Sequence, residues 1–556
     1  MTEASTDSSR RRFTDELPHR VSASPTAARP RYAWSIPGFL EEKPGMGLPE
    51  AWCYTDRYSY RPGDVVQIHT HTTAGTYSLR LVRDSVTPET VWSQTGLPGA
   101  AHPTPDDAYE VGCGWPVATQ FTIDPAWRSG LYLLIITIEE DGRLIEREHF
   151  VVVAPPVGRP RSPYALVLTT STLIAYNDWG GANHYRGVPS DDPWEDIPSA
   201  RLSIERPIAR GMLKKPDEAP RSTNPQTPVM GELPRHPAYE WAHAHGYSRH
   251  HSDAFWATYE RPFAHWAERH GFDLDFLTQH DLHDDQSALD GYSCAIFVGH
   301  DEYWTAQMRD TVDAFVDAGG HVARFAGNFL WQVRFEEDGR VQVCYKDPPS
   351  DPLYESDPVH VTTAWDWPPI GRPGAETMGL TGLAGVYNRY GSAVARGSGG
   401  FTVYRPSHWA LEGTALGYGD VFGSAPVAIA AFEVDGCDYT FRHGLPYPTH
   451  ADGTPDTVTI IAMCPATFGE FDLWQGRVPL GAPVAEAQFL LDRMYPEGRP
   501  AHLAGDGYGA GMVVEYQRGR GSVFCAGSCE WVNGLRLGDE FTEAITLNVL
   551  RAFGSR

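Results

Sequence analysis

Four adjacent polar residues, His300, Asp301, Glu302 and Tyr303, follow the apolar run "IFVG" at 296–299. Imidazole and carboxylate groups can transfer protons and bind metal ions, and a phenol can donate or accept a hydrogen bond. A lone carboxylate beside the end of a buried strand is costly unless it is paired or bound to a cation. Glu302 could also serve the helix that follows, because acidic residues stabilise the first turn of a helix. Position alone leaves both interpretations of Glu302 open.

Strands that alternate with helices should position this polar run. Apolar runs at 164–171, 273–278, 294–299 and 321–327 predict strands, and residues 305–320 have the spacing of an amphipathic helix. This alternation predicts βαβ units in a mostly parallel sheet. Ligands bind such sheets beyond the carboxyl ends of the strands, where the loops converge. We therefore predict an α/β core that carries its site at the strand ends.

Three of the predicted strand ends are unusually polar. They run into the segments "TLIAYNDWGGANHYRG", "GHDEYW" and "GNFLWQVRFE". A tyrosine after a strand usually packs and donates one hydrogen bond, and an asparagine after a glycine is usually a turn residue. The residues alone therefore predict a site without identifying its chemistry. The side chains predicted to face one cavity are Tyr176, Tyr185, His300, Glu302 and Asn328.

Composition and periodicity divide the chain into three parts. Residues 1–30 are polar and predict a mobile tail. Residues 31–157 alternate apolar and polar positions, with an Asp-Gly hairpin signal at 141–142, and predict an antiparallel β-sandwich of about immunoglobulin size. Residues 158–556 should form the α/β catalytic domain, with a β-rich elaboration at about 351–520.

The charge and the apolar pattern exclude several classes of partner. With 45 basic and 71 acidic residues the net charge is −26, which repels phosphate backbones and anionic membrane surfaces. We predict no nucleic-acid partner and no membrane partner. The N-terminal "MTEASTDSSRRRFTDELPHR" lacks the apolar core of a secretory signal, and no later run reaches the roughly 18 apolar residues of a membrane span. These features predict a cytoplasmic protein, and the eight scattered cysteines favour reduced structural thiols.

Several common kinds of site are discounted by their motifs. The sequence contains neither a G-x-S-x-G elbow nor a G-x-x-x-x-G-K-[ST] phosphate loop. Histidines cluster in "HAHGYSRHHSD" (243–253) and "QHDLHDD" (279–285), which could be offered as zinc ligands. The spacing of His280 and His283 does not match a helical i, i+4 pair. We interpret both segments as solvated polar loops rather than zinc sites.

Four longer segments of the chain are distinctive in combination: "AYNDWGGANHYRG", "GFDLDFLTQHDLH", "GHDEYWTAQMRDTVDAFVDAGGHVARFAGNFLWQVRFE" and "GSVFCAGSCEWVNGL". In this combination the chain resembles the N,N-dimethylformamidase large (β) subunit family over about 164–556. The resemblance implies an enzyme that holds one ferric ion, Fe(III), with two tyrosinates and a glutamate, and that hydrolyses a small amide. Family members have proline where Asp301 stands. They also work with a small subunit, which is not evident in this chain.

The resemblance also carries over to individual residues. It implies metal ligands at Tyr176, in "AYN", at Tyr185, in "NHYRG", and at Glu302, in "HDEY". It implies that a histidine beside the metal, an active-site asparagine and a catalytic glutamate complete the site. These three residues are His300, Asn328 and, in "AAFEVDG", Glu433.

These residue types suit amide hydrolysis on a metal. A phenol, with an ordinary pKa near 10, becomes a ligand when a strongly Lewis-acidic ion displaces its proton. Three anionic oxygens match a trivalent ion, and such an ion can polarise an amide carbonyl or deliver hydroxide at neutral pH. We hypothesise that Glu433 is the general base, that Asn328 hydrogen-bonds the substrate carbonyl or water and that His300 orients Glu302 or the bound water. Apolar walls would exclude water; the residues proposed for them are Trp179, Phe329 and Trp331.

Three functions stay open at this stage. The first is an amidohydrolase that acts on a dimethylformamide-like or formamide-type substrate through Fe(III). The second keeps the iron but uses it in oxidative chemistry, which tyrosinate-ligated ferric sites also suit. The third is a binding or scaffold protein without catalysis. The sequence leaves the substrate and the oligomeric state open, including a homo-oligomer.

Overall fold

The computed structural model describes residues 45, 49–140, 142–189, 197–221, 237–386, 394–395, 399–431, 433–467 and 509–555. The tail predicted at 1–30 lies outside these residues, as does part of the elaboration predicted at 351–520. No helix within these ranges combines the length and the apolar character needed to cross a bilayer.

The first eight strands form two sheets around a common core. They are β1 (Ala51–Thr55), β2 (Ser59–Tyr60), β3 (Val65–Thr72), β4 (Thr76–Arg83), β5 (Glu89–Pro98), β6 (Val117–Thr122), β7 (Gly130–Glu140) and β8 (Arg143–Val153). One sheet has the order β1-β3-β6, and the other has the order β2-β8-β7-β4-β5. Neighbours are antiparallel except for β2 and β8.

Period-two burial builds this sandwich. Strand β3 buries Val66 and Ile68 on its inner face, where they share an apolar core with Leu79 and Leu81 of β4. The hairpin predicted at 141–142 is confirmed by the continuous antiparallel pairing of β7 with β8. Residue 141 itself lies outside the described residues.

The remaining strands begin with β9 (Tyr164–Leu168), β10 (Arg201–Ser203), β11 (Asp275–Thr278), β12 (Cys294–His300), β13 (Tyr303–Trp304), β14 (His321–Gly327), β15 (Trp331–Gln332), β16 (Arg334–Glu336) and β17 (Val341–Val343). They continue with β18 (Thr381–Val386), β19 (Val394–Ala395), β20 (Phe401–Val403), β21 (Val421–Phe422), β22 (Val434–Gly436), β23 (Tyr439–Arg442), β24 (Leu445–Pro448), β25 (Thr459–Thr467), β26 (Ala510–Arg518) and β27 (Gly521–Ala526). Small sheets pair β10-β17-β16, β13-β15, β18-β22 and β23-β24.

The largest sheet in the described part of the chain has ten strands. Its order is β11-β9-β12-β14-β27-β26-β25-β20-β21, and β19 pairs with β25. Strands β11, β9, β12, β14 and β27 run parallel, whereas each pairing from β27 to β21 is antiparallel. The carboxyl ends of β12 and β14 coincide, because His300 is paired with Gly327.

Helices cover both faces of the parallel strands. The helices in the described part of the chain are α1 (Ala108–Val111), α2 (Thr170–Tyr176), α3 (Pro237–His245), α4 (Glu260–Arg269), α5 (Gln279–Asp284), α6 (Ala306–Asp317), α7 (Ala375–Met378), α8 (Trp531–Leu537) and α9 (Glu540–Gly554). On β12, Ile296 and Val298 share a core with Ile545 of α9. Phe297, on the opposite face, shares a second core with Met308 of α6.

Candidate functional site

Three oxygen-bearing side chains, Tyr176, Tyr185 and Glu302, converge beyond the end of β12, and we call them the oxygen cluster. The Tyr176 hydroxyl lies 3.0 Å from Glu302 Oε2 and 2.8 Å from the Tyr185 hydroxyl. The Tyr185 hydroxyl lies 3.0 Å and 2.9 Å from the two carboxylate oxygens of Glu302. Tyr176 and Glu302 are buried and Tyr185 is partly buried. The three side chains lie close enough to share one ion.

The loop after α2 brings the two tyrosines together. Tyr176 is the last residue of α2, and its carbonyl accepts a hydrogen bond of 3.2 Å from the Asn183 side chain. The same side chain accepts a 2.9 Å hydrogen bond from the Tyr185 backbone N–H. Glu302 is fixed to the same helix, because its backbone N–H donates to Thr172 Oγ1 at 3.0 Å. One asparagine and one threonine thus set the spacing of the cluster.

Three further side chains surround the oxygen cluster. The Tyr303 hydroxyl donates to the Tyr185 hydroxyl at 2.7 Å, and Trp331 Nε1 donates to Glu302 Oε1 at 2.8 Å. The buried Lys346 ammonium lies 3.6 Å from the centre of the Tyr185 ring. This cation–π contact places a positive charge beside an acidic cluster.

A second group of side chains continues from Glu302. His300 Nε2 lies 3.3 Å from Glu302 Oε2 and 2.7 Å from Glu433 Oε2, so the imidazole lies between two carboxylates. The Asn328 side-chain amide lies 3.1 Å from His300 Nε2 and donates to Glu433 Oε2 at 2.5 Å. His300 Nδ1 lies 2.6 Å from the carbonyl oxygen of Asp253. All six predicted site residues therefore belong to one connected cluster.

Backbone geometry at the end of β14 places Asn328. Its φ of +64° lies in the left-handed region, which asparagine tolerates better than most residues. The Asp435 carboxylate accepts hydrogen bonds from the backbone N–H groups of Asn328 and Phe329. A Cβ atom at Gly327 would lie 2.5 Å from the Glu433 carbonyl oxygen, so only glycine permits this approach.

The environment keeps both phenols protonated in the absence of a cation. Burial and the Glu302 carboxylate raise the pKa of Tyr176 well above its usual value. The same two causes raise the pKa of Tyr185. Deprotonation of either phenol therefore requires a strong positive charge among these oxygens.

The two carboxylates differ in their pKa. Burial raises the pKa of Glu433 to about 7, and this effect outweighs the opposing effect of His300. Burial also acts on Glu302, but hydrogen bonding to His300 and the Lys346 charge lower the pKa of that carboxyl overall. Burial opposes the charged form of His300, yet the Glu433 and Glu302 carboxylates raise its pKa well above the usual value. One carboxylate is thus held ionised, whereas the other is poised to exchange a proton near neutral pH.

The interpretation of Glu302 as a helix cap is wrong. Helix α6 begins after Thr305, whose side chain accepts a hydrogen bond from the backbone N–H of Met308. The Glu302 carboxylate instead faces the two tyrosines and Trp331. The hydroxyl of Thr305 caps the N-terminus of the helix in place of an acidic residue.

The donor chemistry of the oxygen cluster fits a hard cation. Hard ions prefer anionic oxygen ligands, and all three donors are phenol or carboxylate oxygens. A second donor set combines His300, Glu433 and Cys529, whose ligand atoms lie within 4.8 Å of one another. Burial raises the pKa of the Cys529 thiol well above its usual value, which disfavours the thiolate that a metal would need.

The interpretation of the histidine-rich segments as solvated loops holds for exposure at residues 243–246 and is wrong for most of the remainder. His250 and His251 are buried in the segment 243–253. Residues 279–284 form helix α5, and the His280 ring stacks on Phe335 with ring centres 4.2 Å apart. Packing against distant aromatic residues shields His250 and His280 from water.

One of these histidines, His250, contacts the site and was missed by sequence reasoning. Its ring centre lies 5.4 Å from that of Tyr176 and 6.2 Å from that of Tyr185. His250 Nδ1 lies 2.8 Å from an Asp253 carboxylate oxygen. His250 Nε2 is buried, and no described residue hydrogen-bonds to it. The pairing with Asp253 three residues later was the only local signal that could have singled it out.

The three residues proposed as apolar walls have different surroundings. Trp331 contacts the oxygen cluster through its indole N–H. Trp179 instead packs against Trp52 and Trp115 of the sandwich, with ring centres 5.7 Å and 6.0 Å away. Phe329 belongs to the core on the α6 side of the sheet. Trp179 and Phe329 are therefore core residues, and only Trp331 of the three borders the cluster.

Comparison with known proteins gives one family match. A family model described as N,N-dimethylformamidase beta subunit-like, C-terminal, matches residues 80–544. The match begins inside β4 of the sandwich and ends inside α9, so it covers the later strands of the sandwich and the whole of the large sheet. No curated protein matches the chain.

Proposed function

Because the chain belongs to the N,N-dimethylformamidase beta subunit-like family, we propose that it is an amidohydrolase acting on a small amide. The reaction would split the carbon–nitrogen bond of a formamide-type substrate with water, giving a carboxylic acid and an amine. One observation carries the proposal: hydroxyl and carboxylate oxygens of Tyr176, Tyr185 and Glu302 converge to within 3.0 Å. Neither phenol ionises readily by itself in this buried setting.

We assign the oxygen cluster to a mononuclear ferric ion. Tyr176 and Tyr185 would bind it as phenolates and Glu302 as a carboxylate, so that three negative charges match three positive ones. When bound, Fe(III) would supply Lewis-acid chemistry, polarising an amide carbonyl or lowering the pKa of water. Trp331 and Tyr303 would hold Glu302 and Tyr185 in place through their hydrogen bonds of 2.8 Å and 2.7 Å.

Glu433 is the proposed general base. Its pKa of about 7 lets the carboxylate accept a proton from water at neutral pH and return it to the leaving amine. A positioned base of this kind typically contributes about 10²–10⁴-fold to the rate. Asn328, whose amide already reaches Glu433, would donate a hydrogen bond to the substrate carbonyl oxygen or to the attacking water.

We propose that His300 connects the metal ligand Glu302 with the general base Glu433. Its Nε2 atom lies within 3.3 Å of both Glu302 and Glu433, and its Nδ1 atom faces the Asp253 carbonyl oxygen. Held in this way, the ring cannot rotate without breaking contacts on both sides. We infer that His300 orients Glu302 and keeps the carboxylate of Glu433 directed at the reacting water.

The proposal is tested by following hydrolysis of N,N-dimethylformamide with and without dioxygen. Formate and dimethylamine should appear in equal amounts at the same rate in both conditions, because hydrolysis consumes water alone. Glu433→Gln should lower kcat by about 10²–10⁴-fold, and the control Glu355→Gln, at an exposed position, should not. Formation of product only with dioxygen would favour the oxidative alternative. Full activity of Glu433→Gln would refute the assigned base.

A further inference from the structure

A cavity with an unusual concentration of positive charge lies outside the candidate site. It has a volume of about 330 Å³ and is formed by residues 213–221, helix α4 and the end of helix α8. One acidic residue, Asp217, lines it. Its basic lining residues are Lys214, Lys215, Arg221, Arg261, Arg269 and Arg536. Such a lining is unexpected in a chain with a net charge of −26.

Two of these cations are neutralised by buried carboxylates. Arg221 forms a two-pronged ion pair with Glu530, at 2.8 Å and 3.1 Å. Arg261 Nε lies 2.8 Å from Asp84 Oδ2. These pairs account for the positive charge of two arginines and leave the other basic side chains to be explained.

The other basic residues form no direct ion pair within the described ranges, although more distant carboxylates act on Lys214, Lys215 and Arg536. Lys214 and Arg269 form no ion pair there, and Arg536 donates only to the amide oxygen of Asn533. Arg536 is also close enough to Arg221 for the two charges to repel each other, an effect that adds to burial in lowering the pKa of Arg536. The cavity therefore brings together more cations than carboxylates, and Arg221 and Arg536 repel each other within it.

Lys215 carries the strongest sign of a missing anion. Its ammonium donates to the His251 carbonyl oxygen at 2.9 Å and to Thr258 Oγ1 at 2.7 Å. Both acceptors are neutral. Burial, followed by the nearby Arg221 charge, lowers the pKa of Lys215 to about 7. The Asp253 and Glu530 carboxylates oppose this shift without cancelling it, and an anion in the cavity would stabilise the charged ammonium further.

We propose that this cavity is a binding site for a small oxyanion with two or more negative charges. Guanidinium and ammonium groups bind phosphoryl and carboxylate oxygens through charge-assisted hydrogen bonds. A volume of about 330 Å³ suits a small molecule, since ligand pockets begin at about 300 Å³. The ligand chemistry is the same for a phosphate-bearing molecule and for a dicarboxylate. The site is independent of the metal assigned above.

Calorimetric titration of the full chain with sodium sulfate, sodium phosphate and sodium malonate tests the proposal. Sodium chloride at equal ionic strength is the reference. We expect saturable binding of at least one divalent oxyanion at one site per chain, and none of chloride. Tighter binding of phosphate would identify a phosphoryl ligand, and tighter binding of malonate would identify a dicarboxylate. Heats that match the chloride reference for all three anions would overturn the proposal.

Two variants connect the binding to this cavity. Arg269→Gln with Arg536→Gln removes two exposed charges and should weaken oxyanion binding by about tenfold or more. The matched control, Arg143→Gln with Arg159→Gln, removes two exposed charges outside the cavity and should leave the affinity unchanged. Lys215→Met tests the buried ammonium separately and should also weaken binding, with circular dichroism checking its fold. Equal affinity in the cavity variants and the control would overturn the assignment.

Discussion

Asp301 and Glu302 are adjacent in the chain, yet they belong to two different buried clusters. Asp301 faces Arg324, whose Nε lies 3.3 Å from Asp301 Oδ2 and whose other arm lies 2.7 Å from Asp435 Oδ2. Glu302 faces Tyr176 and Tyr185. All of these side chains except Tyr185 are buried. One cluster surrounds the Arg324 guanidinium, and in the other the oxygens contact one another, with the Lys346 ammonium beside the Tyr185 ring.

The two clusters differ in how the negative charge of their carboxylates is balanced. In the arginine cluster, Asp435 also accepts from the backbone of Asn328, and Asp301 also accepts from Trp304 Nε1 at 2.7 Å. Those carboxylates are matched by charge and fixed by donors, which is typical of a structural ion pair. In the oxygen cluster, the Tyr176 and Tyr185 hydroxyls donate to the Glu302 carboxylate, and under the proposed function a metal ion would replace their protons. Burial alone therefore does not distinguish a structural cluster from a functional one. The balance of hydrogen-bond donors and charges in each cluster does.

The largest effect should come from Glu302→Gln. Loss of one anionic ligand should remove bound metal, and because Lewis-acid catalysis is worth several kcal/mol, kcat/KM should fall by about 10³-fold or more. Metal content and amide hydrolysis are measured together, with Glu355→Gln as the control. Normal iron content with normal activity would show that the oxygen cluster is not the site of catalysis.

Arg324→Met should act on stability instead. Removing the guanidinium leaves Asp301 and Asp435 buried without their cation, and breaking such a pair typically costs about 3–5 kcal/mol. Urea denaturation gives the free energy of unfolding, with Arg143→Met, at an exposed position, as the control. The folded fraction should still bind one metal per chain. Unchanged stability would remove the contrast between the two clusters.

Activity should depend on pH through Glu433. Burial raises the pKa of this carboxyl to about 7, so it is protonated below that pH and cannot accept a proton from water. We expect kcat/KM to fall by about tenfold per pH unit below 7 and to level off above it. A pH profile from 5.5 to 8.5 measures this, and structural integrity at each pH is checked by circular dichroism. A flat profile would contradict the role of Glu433.

The smallest effect should come from His250, which borders the oxygen cluster without hydrogen-bonding to it. His250→Asn can still reach Asp253 but lacks a group at the position of Nε2, whereas His250→Gln can supply a polar group there. We expect about tenfold lower activity for Asn, as for other residues that support a metal site, and partial rescue for Gln. His360→Asn, at an exposed histidine, is the control. Equal loss in both His250 variants would indicate a packing role.

Local sequence signals predicted the elements around both clusters well. The Asp-Gly signal placed the β7–β8 hairpin, and the apolar spacing of residues 305–320 placed helix α6 at Ala306–Asp317. The run at 294–299 became β12, which ends one residue later at His300. These features depend on neighbours in the chain, so the sequence contains most of the information about them.

The site itself was predicted through family resemblance more than through local pattern. Tyr176, Tyr185 and Glu302 were proposed as ligands by resemblance, and residues alone indicated only a site at strand ends. Lys346 carried no usable local signal and His250 only its spacing to Asp253, because their burial depends on aromatic residues far away in the chain. Long-range packing of this kind cannot be predicted from the periodicity of the sequence.

The most direct test of the central claim is metal analysis together with the visible absorption spectrum of the purified protein. We predict one iron per chain and an absorption band in the visible, because ferric ion bound to phenolate oxygens absorbs there. Tyr176→Phe and Tyr185→Phe should each weaken or shift this band, while Tyr354→Phe, at an exposed tyrosine, should leave it unchanged. A colourless, iron-free protein that still hydrolyses the amide would contradict the account.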